Sequence, residues 1–484
     1  MNKCELKKEL GLLGSFSMGF ADVGADIFLA LGLIAAYAHG VMPLAILAAA
    51  IVYVCSGLSY AELAAAMPVS GGSSAFGRRA FGNKASFLAG WGLMLDYTID
   101  IALFAVASTG YLSFFIPGVR EVFGFVSVFL IFILMLINLL GIKESSSVNS
   151  VLTAVAIVII LGLLVLGFGT TFQMEKFTSG LTPINTDPGI ENFLYSITLA
   201  IVAFVGVESI SQGAEETKNP GKILPQATFL SIFFVVLFAL LLSIMVLGIV
   251  TPKTLADNMD NPLVPVTQAL PFSQIITPII AFAGFIICFV SANTGIIGAS
   301  RVVYSMSSSG LVSRRISWIH PKYCTPWWTV IIFSTIAMVL AFFGDMIFLG
   351  ELYAFGALTA YTVTNLSLIQ LRFAEPNMER PFKIPFNLKI NGRDIPLITI
   401  IGSIGCIAIF ILVALLHEEG RNFAFVWFVA GFVYYYFYKK YRAKIDAKTY
   451  VPVQHRLPGH GKSVHVEYSS IRNLDVGDNK QSHK

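Results

Sequence analysis

Charge is what this chain has least of. Lys, Arg, Asp and Glu make up 12% of its 484 residues and apolar types 56%, against roughly 25% charged in a soluble domain. That excludes a soluble globular fold and points to a polytopic membrane protein. Cysteine is scarce too: Cys4, Cys55, Cys288, Cys324 and Cys406 have neither metal nor disulfide spacing and read as free thiols. His39, His320 and His417 fall at the ends of apolar runs, so no His or Cys cluster shares a depth. Enzyme chemistry, a bound metal and a resident cofactor are therefore not expected, nor is a nucleic-acid partner. The N-terminus leads into the first apolar run without a small-residue cleavage site, so no removable signal peptide is expected.

What is present is a series of apolar segments of bilayer-crossing length, about 17 to 25 residues each. Twelve are expected, near 11–37, 42–66, 86–115, 122–141, 148–170, 191–213, 227–250, 273–299, 327–344, 347–371, 395–416 and 421–438. Lys and Arg orient them. With both termini inside, four of the 32 basic residues (Arg120, Lys176, Lys253 and Arg421) fall in outside loops and none falls within a span. That is the bias of cytoplasmic loops, so the chain is expected to be a multi-pass plasma-membrane protein with cytoplasmic N- and C-termini. Residues 1–10 form a cytoplasmic start. The segment 439–484 is a basic tail, expected to be disordered beyond its first turns and anchored by Lys439, Lys440, Arg442, Lys444 and Lys448.

Charge reappears where it costs most. The stretch Met18-Gly-Phe-Ala-Asp-Val-Gly-Ala-Asp-Ile-Phe-Leu-Ala-Leu-Gly32 sets Asp22 and Asp26 among glycines inside the first span. An intramembrane carboxylate costs at least about 2.5 to 3.5 kcal/mol on insertion scales, so it faces a cavity, a partner or an ion. The glycines predict an interrupted helix, tolerated at that depth only where it lines an enclosed cavity. Five spans later Phe204-Val-Gly-Val-Glu208 repeats the pattern. Two five-span units, 11–171 and 190–372, have odd span numbers and would lie inverted, with helices 1 and 6 discontinuous and meeting at the midplane. Spans 11 and 12, within 395–438, are additional. Asp96 and Asp100 add acids one helical turn apart in span 3.

The motifs Tyr60-Ala-Glu-Leu-Ala-Ala-Ala-Met-Pro68 with Gly71-Gly72, Phe204-Val-Gly-Val-Glu208 with Glu215-Glu-Thr-Lys-Asn-Pro220, Ser300-Arg301 with Tyr304, and Arg380-Pro-Phe-Lys-Ile-Pro385 occur in this order over residues 10 to 440. In this combination the chain resembles the amino acid, polyamine and organocation (APC) superfamily of permeases. The resemblance implies an all-α LeuT-type fold, ten core spans in two inverted repeats plus two more, and secondary active transport by alternating access. A passive channel fits less well, because paired breaks suit an occluded site.

It also implies a site. The substrate is expected at the backbone of Ala21, Val23, Gly24 and Ala25 and at Asp26, Phe204, Gly206 and Glu208, with Phe204 as an aromatic lid. Resembling permeases carry Gly-Ser-Gly-Ile-Phe where this chain reads Gly24-Ala-Asp-Ile-Phe28, so Asp26 is expected to cap the second half of a broken helix. Asp22, Asp96 and Glu208 are candidates for proton or cation coupling, and Ser291 and Thr294 for a sodium ion. The lysine that some proton-coupled relatives place in span 5 is missing from Val148–Thr170. Gly19, Phe204, Glu62 and Arg301 are gating candidates, the last two with Glu215, Glu216 and Lys218 at the cytoplasmic face. Two readings stay open: amino acids or related amines with protons, or potassium with protons. The acids Asp22, Asp96 and Glu208 resemble those of the potassium-importing branch, whose tyrosine is not matched at Leu29. Lipid and either a proton or a sodium ion complete the expected partners.

Overall fold

The computed structural model describes residues 10–140, 146–323, 325–390 and 393–449, with the side chains of 21, 22, 146–149, 390 and 443–449 outside that description. The chain divides into units 1–439 and 440–484, and the second is helical to Thr449. The expectation of a disordered tail lies outside the described residues.

In chain order, α1 (Leu12–Ala38) and α2 (Met42–Ala66) join through a 3₁₀ turn, His39–Val41. Helix α3 (Gly72–Phe81) leads into α4 (Asn83–Leu112), followed by α5 (Phe123–Leu139), α6 (Ser146–Leu166) and the short α7 (Met174–Gly180). Then come α8 (Ile190–Ala200), α9 (Val207–Gln212), α10 (Pro220–Ile249), the loop helices α11 (Pro252–Ala256) and α12 (Leu263–Gln268), and α13 (Ser273–Ser308). After α14 (Trp327–Phe343) and α15 (Met346–Ala374), strands β1 (Asn387–Ile390) and β2 (Arg393–Pro396) precede α16 (Leu397–Leu416) and α17 (Glu418–Thr449).

Nine helical runs among the described residues are long and apolar enough to cross a membrane, 12–66 counting as one, and Trp327–Phe343 is a shorter apolar helix. The protein is thus a mostly α-helical, multi-pass membrane protein. Burial sorts the helices. The most apolar window is 89% buried in α4 and 83% in both α15 and the 190–212 run, but 22% in 117–139 and 33% in α16. The first three form the centre. The others turn side chains such as Phe125, Phe129, Ile404 and Leu415 outward, which costs nothing against hydrocarbon.

The break in the 190–212 run is built from residues that cannot continue a helix. Helix α8 tightens into a 3₁₀ turn at Ile201–Phe204, Val205 is extended, and Gly206 takes φ 124° before α9 begins. A side chain is strained at that φ. Tyr361 of α15 donates its hydroxyl to the Phe204 carbonyl at 2.9 Å, and Glu208 folds back to accept the Gly206 N–H at 3.2 Å. The chain's own groups so take up backbone polarity that the break exposes.

The first run differs from expectation. It is interrupted at His39–Val41, whereas α1 itself is continuous from Leu12 to Ala38, through Gly19 and Gly24. At Gly19 the reason is packing: a Cβ there would stand 2.6 Å from the Ile210 side chain, so this glycine seats α9 against α1. At Gly24 a Cβ would meet Phe20 of the same helix at 2.9 Å.

Arg301 and Arg372 lie in α13 and α15, past the ends of the spans expected at 273–299 and 347–371, where each meets an ion-pair partner. One further expectation changes. The class is not purely α, since β1 and β2 pair antiparallel with Ile390 opposite Arg393. The two residues between them are Asn391-Gly392, the strongest short hairpin signal.

Gly206→Ala is expected to destabilise the protein by about 1 to 3 kcal/mol through backbone strain and to abolish transport. Thermal unfolding in detergent checks this, and a wild-type melting temperature with wild-type uptake would mean that the break is not required.

Candidate functional site

The centre of the bundle brings together α1, α2, the α8–α9 break, α4, α13 and α15, with the carboxylates Asp26, Asp96, Asp100 and Glu208 each at most 1% exposed. Glu208 Oε2 accepts the Gly206 N–H and lies 3.1 Å from the Tyr361 hydroxyl oxygen, whose one hydrogen is shared between this carboxylate and the Phe204 carbonyl. Phe204 is fully buried and stacks on Tyr53 of α2, with ring centroids 5.2 Å apart. Tyr53 lies within electrostatic reach of both Glu208 and Asp26, so its ring joins α1 to the break. Tyr60 meets Tyr361 edge-on at 5.8 Å and shares a hydrogen bond with Ser73 at 2.5 Å.

The acids of α4 face two helices. Asp100 accepts the Tyr353 hydroxyl at 3.2 Å and packs over Gly295, where a Cβ would stand 2.4 Å from Oδ2. Asp96 packs on Gly356 of α15. Small residues on α13 and α15 thus let the α4 carboxylates approach closely.

Expected site residues separate into groups. Val23, Ala25, Asp26, Phe204, Gly206 and Glu208 are each buried. Ala21 and Asp22 lie outside the described side chains. Asp26 sits mid-helix in α1, so it caps no half-helix, and it lies within electrostatic reach of Tyr53 and Cys288. Thr294 donates its hydroxyl to Val290 O at 3.2 Å within its own helix, and Ser291 is buried. Beside it, Asn293 accepts from Asn138 at 2.6 Å. A cavity of about 20 Å³ touches Gly24, Phe20, Thr153 and Ile287, room for about one water. A separate cavity of about 370 Å³ lies away from these acids, near Arg120, Asp260 and Asp345.

Glu62 and Arg301 do not meet. Arg301 pairs with Glu216 at 3.0 Å. Glu62 instead holds Arg372 at 2.6 Å, Arg380 at 3.3 Å and the Ile384 N–H at 2.9 Å. All three charged side chains are at most 4% exposed. The motif Arg380-Pro-Phe-Lys-Ile-Pro385 is therefore the strap that returns to the end of α2. Nearby, Glu215 accepts the Ser70 N–H and Gln212 the Gly71 N–H, tying the end of α9 to the α2–α3 turn.

Sequence reasoning missed the tyrosines. Tyr53, Tyr353 and Tyr361 are all buried, and a hydroxyl in an apolar run needs a partner. Their depth, matched to that of the acids, was the available signal.

Against this geometry, the family model described as amino acid permease matches residues 10–437. The chain belongs to that family. It is a transporter rather than an enzyme, and moves small molecules across a lipid membrane. It is similar to the branched-chain amino acid permease BcaP of Bacillus subtilis, 28% identical over 460 residues that cover 91% of this chain and 95% of that protein. The methylthioribose transporter of the same organism is 26% identical, covering 86% of this chain and 90% of its own length. The vacuolar cationic amino acid transporter 4 of Arabidopsis thaliana is 27% identical, covering 77% and 64%.

Glu62→Gln leaves two buried guanidiniums short of a carboxylate and is expected to cost about 3 to 5 kcal/mol. Thermal unfolding of purified protein checks it. A loss below about 1 kcal/mol, the range of exposed pairs, would show that the network is solvated.

Proposed function

We propose that this permease carries an amino acid or related amine by proton-coupled alternating access, around the α8–α9 break. The observation that carries this reading is Glu208, a buried carboxylate folded into the break and within electrostatic reach of the same Tyr53 ring as Asp26. A substrate ammonium is stabilised by carboxylates in low dielectric, and the stacked rings of Phe204 and Tyr53 would give an apolar wall to its side chain. Two of the relatives, named for branched-chain and for cationic amino acids, support an amino acid class.

The arrangement proposed is LeuT-type: twelve spans, with inverted repeats in 11–171 and 190–372, two further spans in 395–438, and both termini cytoplasmic with the tail 439–484. The basic loops support that orientation. Asp22, Asp26, Asp96 and Glu208 are the proposed proton or cation groups. The ion pair Arg301–Glu216 and the tie of α9 to the α2–α3 turn are the proposed closure of the cytoplasmic face. Thr294, bonded to its own helix, favours a proton over sodium.

Uptake by proteoliposomes tests the reading. An inward proton gradient should drive accumulation of at least one amino acid, a protonophore should collapse it, and Asp26→Asn should raise KM about tenfold, equivalent to about 1.4 kcal/mol. Sodium-driven uptake indifferent to pH would overturn the coupling. Potassium-dependent thermal stabilisation lost in both Asp22→Asn and Asp96→Asn would replace the amino acid by potassium.

A further inference from the structure

Away from the central acids, at the end of α15 opposite Arg372, four helices meet around a buried histidine. Glu351, in the second turn of α15, accepts the Tyr195 hydroxyl of α8 on Oε1 and the Gly420 N–H of α17 on Oε2 at 3.0 Å. His417, at the α16–α17 junction, is 0% exposed and lies against Tyr195 with ring centroids 4.4 Å apart. Tyr195 in turn lies on Tyr37 of α1 at 4.2 Å.

The hydrogen bonds fix which ring nitrogen is bare. Thr198 Oγ1 lies 2.5 Å from the Tyr195 carbonyl oxygen and 2.6 Å from His417 Nε2. A hydroxyl has one hydrogen and a carbonyl only accepts, so Thr198 donates to Tyr195 and His417 Nε2 donates to Thr198; the tautomer is assigned from this network. Nδ1 is then a lone pair with no hydrogen-bond partner among the described residues, 3.8 Å from Glu351 Oε1. Each Glu351 oxygen accepts one hydrogen bond, Oε1 from Tyr195 and Oε2 from Gly420.

We propose that His417 is a proton-binding site that controls the docking of α8: the neutral ring holds α8 against α15 and the α16–α17 junction, and protonation at Nδ1 releases it. Helix α8 ends one residue before the turn that carries Phe204 and leads to Gly206, so its release reaches the central break directly. The assignment rests on the proton-coupled reading only for its place in the transport cycle.

The other titratable and charged groups around the ring are Tyr195 and, behind it, Tyr37; Glu351, on which Glu419 and Asp345 also bear; and Arg421, whose guanidinium donates to Ala414 O at 3.0 Å. At 3.8 Å Glu351 is too far to hydrogen-bond the ring, so loss of hydration dominates and pushes His417 down from 6.5 to about 3. Because the docked state lowers this pKa, docking is strongest above about pH 6.5 and weakens as pH falls from there toward 3.

The test uses the full-length protein with Cys4 and Cys324 replaced by serine and a reporter, Phe193→Cys, in the first turn of α8. The rate of maleimide labelling is expected to rise roughly tenfold from pH 7.5 to 5.5, after correction for thiolate content, and to be flat in His417→Gln. A wild-type rate that does not change, or a rise that persists in His417→Gln, overturns the proposal. If the variant does not fold, the ring ¹⁵N signals of wild-type His417 decide: labelling that tracks their titration supports the site, and labelling that moves without them overturns it. The assay needs no substrate. Titrating labels without amino acid uptake would sink the transport reading alone, and uptake with flat labelling would sink this one alone.

Discussion

A backbone group without a partner costs several kcal/mol where no water can reach it, and that constraint governs the centre of this protein. Helix α8 stops at a place where the chain is surrounded by other helices, so the exposed peptide groups must be met by side chains. Tyr361 and Glu208 do this together, one from α15 and one from the far side of the break. A carboxylate that would be costly in an ordinary span is thus part of what makes the interruption tolerable. The same oxygen that holds the break belongs to the carboxylate proposed for a substrate ammonium, so on that proposal binding and backbone geometry would share one group.

That sharing ties conformational change to charge. On the proposed function, a cation reaching Glu208 would compete with Tyr361 and the Gly206 N–H for one carboxylate, and weakening there would loosen the turn at 201–206. Tyr53 would carry the effect toward α1, since its ring stacks on Phe204 and lies within electrostatic reach of Asp26. The aromatic rings here are connectors as much as filler.

Much of this was readable before any coordinates. Sparse charge and long apolar runs identified the class, and Gly206 with Glu208 marked the real break, since a positive φ and a buried acid are both visible as residue types. Gly19 and Gly24 misled for a physical reason. Glycine serves close helix packing as well as helix breaking, and only the partner, Ile210 in the case of Gly19, tells which. Partner choice among charges was equally hidden: Glu62 lies 310 residues from Arg372, and no local spacing links them. The hairpin at 387–396 was legible in Asn391-Gly392 but was overshadowed by the apolar pattern on either side.

Helix α15 connects these features. Its last turn holds Arg372 against Glu62, its middle carries Tyr353 and Tyr361 to Asp100 and Glu208, and its second turn holds Glu351 beside His417. The 21 helical steps from Glu351 to Arg372 span about 30 Å at 1.5 Å per residue, roughly the hydrocarbon thickness. One rigid helix therefore touches a polar cluster at each end of the bundle and the central acids between them. Because the side chains of α8 are hydrogen-bonded to Glu351 and His417 at one end, and α9 is tied through Gln212 and Glu215 at the other, the two halves of the broken run carry polar fastenings at opposite ends of the bundle. Releasing one fastening leaves the other in place, and the turn at Gly206 is where the difference must be absorbed.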